Sequence, residues 1–145
     1  MTRTLALVLL LAAGCDGATT VDAGEPATGV FLTATGATMR DSINGVAPRM
    51  GFKYYLIDAT IEARGVGPIS IAPFAFEVTL EDGSRFTADS RTNELADGCT
   101  SRSVMVDETF ACRLAFTPLI DAPAPVRLAW TDGSRSASAA VPPLE

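Results

Sequence analysis

The feature that most constrains this chain is a two-residue alternation of apolar and polar side chains, which returns several times between residues 29 and 141 with no long stretch of helical period. Strands turn successive side chains to opposite faces, so such runs bury one face and wet the other, whereas a helix would repeat every three to four residues. In residues 52–63, Tyr55, Ile57, Ala59 and Ile61 share one face, and Asp58, Thr60 and Glu62 share the other. The beginning of this run, FKYYLI, is apolar on both faces. That pattern fits either a central strand covered on two sides or an outward partner surface. Residues 74–81 direct Phe74, Phe76, Val78 and Leu80 inward, residues 110–116 do the same with Phe110, Cys112, Leu114 and Phe116, and Val126, Leu128 and Trp130 follow.

Turn chemistry separates these runs. Asp82-Gly83 and Asp132-Gly133 each stand between alternating segments, where a two-residue hairpin loop favours residues that tolerate positive φ. The surrounding pieces EDGSR and TDGSR match in four of five residues, but their flanks differ. Shared turn chemistry explains the match better than an internal repeat. Residues 29–35 and 37–41 supply one or two further strands, with Asn44-Gly45 in the following loop. The expected fold is all-β: an immunoglobulin-like sandwich of seven or eight strands.

The amino terminus predicts an address. Arg3 precedes the apolar run 5–13, which is too short for a permanent membrane span and ends on Ala12-Ala13-Gly14. A basic start, a short greasy centre and small residues at the end are the parts of a secretory signal. Cys15 follows directly, and LAAGC resembles the lipobox of bacterial lipoproteins, with Ala12 where that motif most often has Leu. The resemblance implies cleavage before Cys15 and acylation of its sulfur. An ordinary cleaved signal with a nearby cysteine is the plainer alternative. Each buried methylene of such an anchor contributes about 0.8 kcal/mol, and stable anchoring takes more than one chain. The resulting organisation is a signal peptide over 1–14, a small, polar tether over 15–28 and one domain over 29–145.

Cleavage removes one of the 11 basic side chains, Arg3, and none of the 17 acidic ones, leaving a formal charge of −7. A surface of that sign repels nucleic acid, and no basic cluster offsets it. The order GFKYYLIDATIEARGVGPISIAPFAFEVTLEDGSRF, then ETFACRLAFTPL and PVRLAW, resembles the telokin-like, immunoglobulin-like domain of bacterial secreted proteins and lipoproteins of unknown function. Gly51, residues 55–61, Asp82-Gly83, and Leu114 with Phe116 before Pro118 carry the likeness, which spans residues 29–141. It implies a fold and a location but no reaction.

Once Cys15 is set aside, Cys99 and Cys112 remain. In an oxidising compartment an even remainder in a small domain is most simply a disulfide, here pinning the polar loop ADGCTSRSVMVDE to the strand that carries Cys112. The rival readings, a redox pair or a metal site, do not suit the spacing. The chain has no histidine, which removes Ser-His and Cys-His nucleophile activation and the commonest metal ligand. Its single lysine, Lys53, is expected to be solvated, and Met39, Met50 and Met105 to pack in core or loops. Asp82, Asp132, Asp97, Asp107 and Asp121 fall where Asp favours turns. No cofactor or metal is expected.

These observations predict a lipid-anchored, non-enzymatic binding or accessory module of the cell envelope, held to the membrane through Cys15 and meeting an envelope protein partner. The expected partner surface combines Asp97, Arg102 and Glu108 of the disulfide-pinned loop with the aromatic pair Phe52 and Tyr54. Two alternatives stand beside it. A carboxylate-based hydrolase would show two acidic groups within about 5–9 Å in a cleft. A structural spacer would have no specific ligand.

Overall fold

The computed structural model describes residues 27–145; the signal sequence, Cys15 and nearly all of the tether lie outside them. Nine strands form the domain: β1 (Gly29–Arg40), β2 (Tyr54–Arg64), β3 (Ile69–Ile71), β4 (Phe76–Leu80), β5 (Arg85–Thr87), β6 (Arg102–Val104), β7 (Thr109–Phe116), β8 (Pro125–Thr131) and β9 (Ser136–Ala140). One sheet has the order β1-β2-β7, the facing sheet the order β5-β4-β8-β9, and β3 and β6 form a separate pair. All strand pairings are antiparallel. This is an all-β, immunoglobulin-like sandwich. Three of its nine strands, β3, β5 and β6, are only three residues long, and β3 and β6 are not among those expected from alternation.

The predicted faces are the buried faces where both flanks are sheet. Tyr55, Ile57 and Ile61 of β2 and Leu114 and Phe116 of β7 are at most 1% exposed, and they meet Phe76, Val78 and Leu80 of β4 and Leu128 and Trp130 of β8. Burying side chains of this size stabilises by roughly 1.5–3 kcal/mol each, which commits the strands to one register. The two segments expected over 29–41 are one strand, β1, with its pairing slipped at Thr35. Asn44 and Gly45 both take positive φ, at 50° and 78°, and close a tight turn between Ile43 and Val46.

The two Asp-Gly turns share their chemistry in detail. Asp82 Oδ1 accepts from the Ser84 amide and hydroxyl, and Asp132 Oδ1 accepts from the same two groups of Ser134. Only the glycine of each pair has positive φ, so these are loops that cradle an aspartate rather than two-residue turns with both central residues left-handed.

Several inward and outward assignments change. Phe74 is 77% exposed because Pro73 opens a 3-10 turn, Pro73–Ala75, that delays the strand to Phe76 and rotates the phenylalanine outward. Val126 is 40% exposed at the start of β8. Tyr54 is 3% exposed: with Leu56, Ala115 and Ile43 it forms a second small core on the outer face of the β1-β2-β7 sheet, with Leu95 packed against it. The two-sided apolar run therefore marks a strand covered on both faces. Lys53 is not solvated but buried, its Nζ donating to the Ala122 carbonyl at 2.9 Å and lying 4.8 Å from the centre of the Tyr55 ring. The Tyr55 hydroxyl donates to the Ala122 and Pro123 carbonyls, at 3.1 and 2.9 Å, so both side chains hold the loop before β8. Met39, Met50 and Met105 lie exposed rather than in the core.

Candidate functional site

The free edge of β7 organises the segment that leads into the loop the disulfide was expected to pin. Residues 89–99 run along it: the Ala115 carbonyl accepts from Asp89 N at 2.7 Å, the Ala115 amide donates to Thr92 Oγ1 at 3.0 Å, and Cys99 N and Arg113 N complete a parallel bridge at Gly98. Covering an edge in this way removes a row of unpaired backbone groups from solvent. Gly98 has no room for a side chain, since a Cβ there would collide with the Thr92 carbonyl. The Cys99–Cys112 disulfide is present, with Cα atoms 4.9 Å apart, and both cysteines are buried with Leu114 and Phe116.

Beyond the disulfide, the loop expected to be polar and irregular contains β6 and is fixed throughout. The Arg102 guanidinium pairs with Glu108 at 2.6 Å and lies 4.4 Å from the centre of the Phe110 ring, and Glu108 also accepts from Met105 N at 2.8 Å. Asp107, at φ 60°, accepts from Gly65 N at 2.8 Å and so ties the loop to the end of β2. Asp97 lies elsewhere, 3.4 Å from the Arg113 guanidinium that also grips Asp58 at 2.6 and 3.2 Å. The Asp58 hydrogen bond, above all, raises the Arg113 pKa further.

The expected partner surface is not assembled as one patch. Tyr54 is buried, and Phe52 is half-buried beneath Arg49, whose guanidinium carbon lies 4.0 Å from the ring centre. Tyr54 and Glu62 stand at opposite ends of β2, about 26 Å apart at 3.3 Å per residue. Glu62 pairs across to Thr109, beside Glu108. The aromatic end and the Arg102–Glu108 end are therefore separated by most of the sheet's length.

Carboxylates converge at one place. Asp58 and Asp97 both line a hollow of about 250 Å³. Arg113 touches both, so a guanidinium occupies the position between them that a hydrolytic water or a sugar carbon would need. Among the described residues no group of three or more His, Cys, Asp or Glu is placed to hold a metal ion.

A concave surface also lies around a residue misassigned from alternation. Phe74 stands between two hollows, of about 380 and 550 Å³, that share Phe74, Ala75 and Thr131. The first crosses the outer face of the β4-β8-β9 sheet, where Glu77, Ala129 and Ser138 are cross-strand neighbours. The second lies between the β3-β6 pair, at Ser70 and Ser103, and the turn after β8, at Asp132. Arg102 borders it, so this one member of the expected partner surface belongs to the groove. Trp130, 1% exposed, contributes to the wall of the first hollow, and its indole N–H has no hydrogen-bond partner. An exposed phenylalanine forfeits burial energy that its strand neighbours collect.

No protein-family model matches the chain, and no curated protein matches it. A solved structure does: a secreted protein from Mycobacterium tuberculosis, MPT63, at 17% identity, with a TM-score of 0.53 over 77% of this chain and 81% of that one. At that identity the likeness concerns the fold, and the shared fold is the immunoglobulin-like sandwich described above.

Proposed function

We propose that this protein is an exported lipoprotein, held to the envelope through Cys15, whose immunoglobulin-like domain is a non-enzymatic binding module of the telokin-like kind. The signal sequence and the LAAGC segment support export and anchoring. The observation that carries the binding reading is the exposed Phe74 between two hollows, on a domain whose other large aromatic residues are buried or half-buried. The carboxylates support it further. Asp58 and Asp97 are bridged by Arg113, Glu108 is held by Arg102, and Asp82 and Asp132 cradle their turns, so each has a structural role.

The test uses two forms of the chain. Wild type should partition into the detergent phase of a Triton X-114 extract, and Cys15→Ser, lacking the acyl acceptor, should partition into the aqueous phase as soluble protein. The soluble form, mixed with washed envelopes, should cosediment, and Phe74→Ala should abolish that cosedimentation. Partition of wild type into the aqueous phase overturns the anchor. Cosedimentation that is absent, or indifferent to Phe74, overturns the binding module in favour of a spacer.

A further inference from the structure

Resting on the reading of the domain as a binding module, we propose that the two hollows flanking Phe74 form one groove for a neutral, unbranched oligosaccharide. Phe74 would serve as the platform on which the C–H face of a sugar ring packs. Three features of the groove select that ligand class. Its polar lining is mainly hydroxyl: Ser70, Ser101 and Ser103 on one side of Phe74, and Thr87, Ser136 and Ser138 on the other, all exposed. A hydroxyl donates one hydrogen bond and accepts two, which matches the mixed donor and acceptor character of a sugar hydroxyl.

The bordering charges are mostly neutralised within the protein. Arg102 is paired with Glu108 at 2.6 Å, Asp132 with Arg135 at 2.7 Å and Glu77 with Arg85 at 3.5 Å, leaving Arg127 as the one bordering charge without a described ion pair. An anionic polymer would find little free positive charge in the groove and a net negative chain around it. The middle of the floor, finally, offers a peptide no strand to join. Ala129 pairs with Glu77 on one side and Ser138 on the other, so the first hollow crosses a sheet face whose backbone groups are already used, and strands paired on one side only, β5, β9 and the β3-β6 pair, border the groove rather than floor it. What remains for recognition is an aromatic face and a set of hydroxyls on small side chains. That is the complement of a ring with one apolar face and hydroxyls at its rim.

Trp130 makes the groove observable, because it is the only tryptophan and lies in the wall of the first hollow. The full chain in detergent is titrated separately with maltohexaose, cellohexaose and chitohexaose, and Trp130 fluorescence and the indole N–H signal in ¹H–¹⁵N spectra are followed. At least one of the three should give a saturable change below about 5 mM, which fills a site with Kd of about 1 mM, the weak end of specific recognition. Phe74→Ala should weaken that binding at least about tenfold, while its exposure predicts little change in thermal midpoint. Phe52→Ala, outside the residues that line either hollow, should leave it unchanged. No saturable response to any of the three sugars, or a response that survives Phe74→Ala, overturns the proposal. Phe74-dependent cosedimentation with envelopes but no sugar response retires the glycan and keeps the binding module; loss of both retires both.

Discussion

Thr92→Val removes one oxygen from a site where nothing can replace it. Thr92 is fully buried, and its Oγ1 accepts from the Ala115 amide at 3.0 Å. Ala115 is itself 0% exposed, so water cannot reach the orphaned N–H. A buried donor left without a partner costs about 1–3 kcal/mol. Valine has nearly the same shape and adds an apolar methyl in place of the hydroxyl, which returns up to about 0.8 kcal/mol. The net expectation is a loss of roughly 1–2 kcal/mol. For a domain of this size that lowers the thermal midpoint by about 4–8 °C. Urea unfolding followed by Trp130 fluorescence should show a lower midpoint concentration with an unchanged slope, because the same surface is exposed on unfolding. Thr92→Ser, which keeps the oxygen, should keep the Ala115 bond. A valine variant as stable as wild type would refute the claim that this hydroxyl closes the β7 edge.

Three further outcomes follow from the same packing. Gly98→Ala places a Cβ against the Thr92 carbonyl, so it should destabilise by about 1–3 kcal/mol, read as a fall in urea midpoint; a neutral result would mean that residues 89–99 are not held against β7 as described. Asp132 is held at about 2 by the Arg135 and Ser134 hydrogen bonds, against an ordinary value near 3.8. Because its folded pKa is depressed, its contribution is complete above about pH 4 and lost as pH falls through 2, so the stability gap between wild type and Asp132→Asn should be flat from pH 7 to 4 and close toward pH 2. A gap unchanged down to pH 2 would contradict this. Replacing Cys99 and Cys112 together by serine should cost about 3 kcal/mol in denaturant unfolding, the loop-closure value for a separation of 13 residues, and the cost should vanish when wild type is compared under reducing conditions.

The sheet faces were legible where a strand is long and buried on one side. In β2, β4 and β7, the period-two pattern predicts Ile57, Val78 and Leu114 as core, because a one-residue slip would move every one of them into water. The disulfide was legible from parity and compartment, and the paired EDGSR and TDGSR turns from aspartate's habit of bonding to amides two residues on. Phe74 was misassigned because Pro73 starts a 3-10 turn that takes Phe74 out of the strand, which begins only at Phe76, and Pro73 is the local signal that would have found it. Between the two readings of the FKYYLI end the alternation could not choose, because the cover over Tyr54 comes from Ile43 and Leu95, outside the run, and alternation carries no information about such partners. The groove was not legible at all. Its hydroxyls come from β3, β5, β6 and β9 and from the residue before β6, and only the topology brings those segments to one surface.

As proposed, the domain lies outside the cytoplasm, held by one modified cysteine, while the other two form its disulfide. Intact-mass spectrometry of protein purified from membranes, before and after reduction, tests both statements at once. A chain beginning at Cys15, heavier by a diacylglyceryl group and its acyl chains and gaining 2 Da on reduction of the Cys99–Cys112 bond, is the predicted result. An unmodified Cys15 in a chain with two free thiols would contradict it.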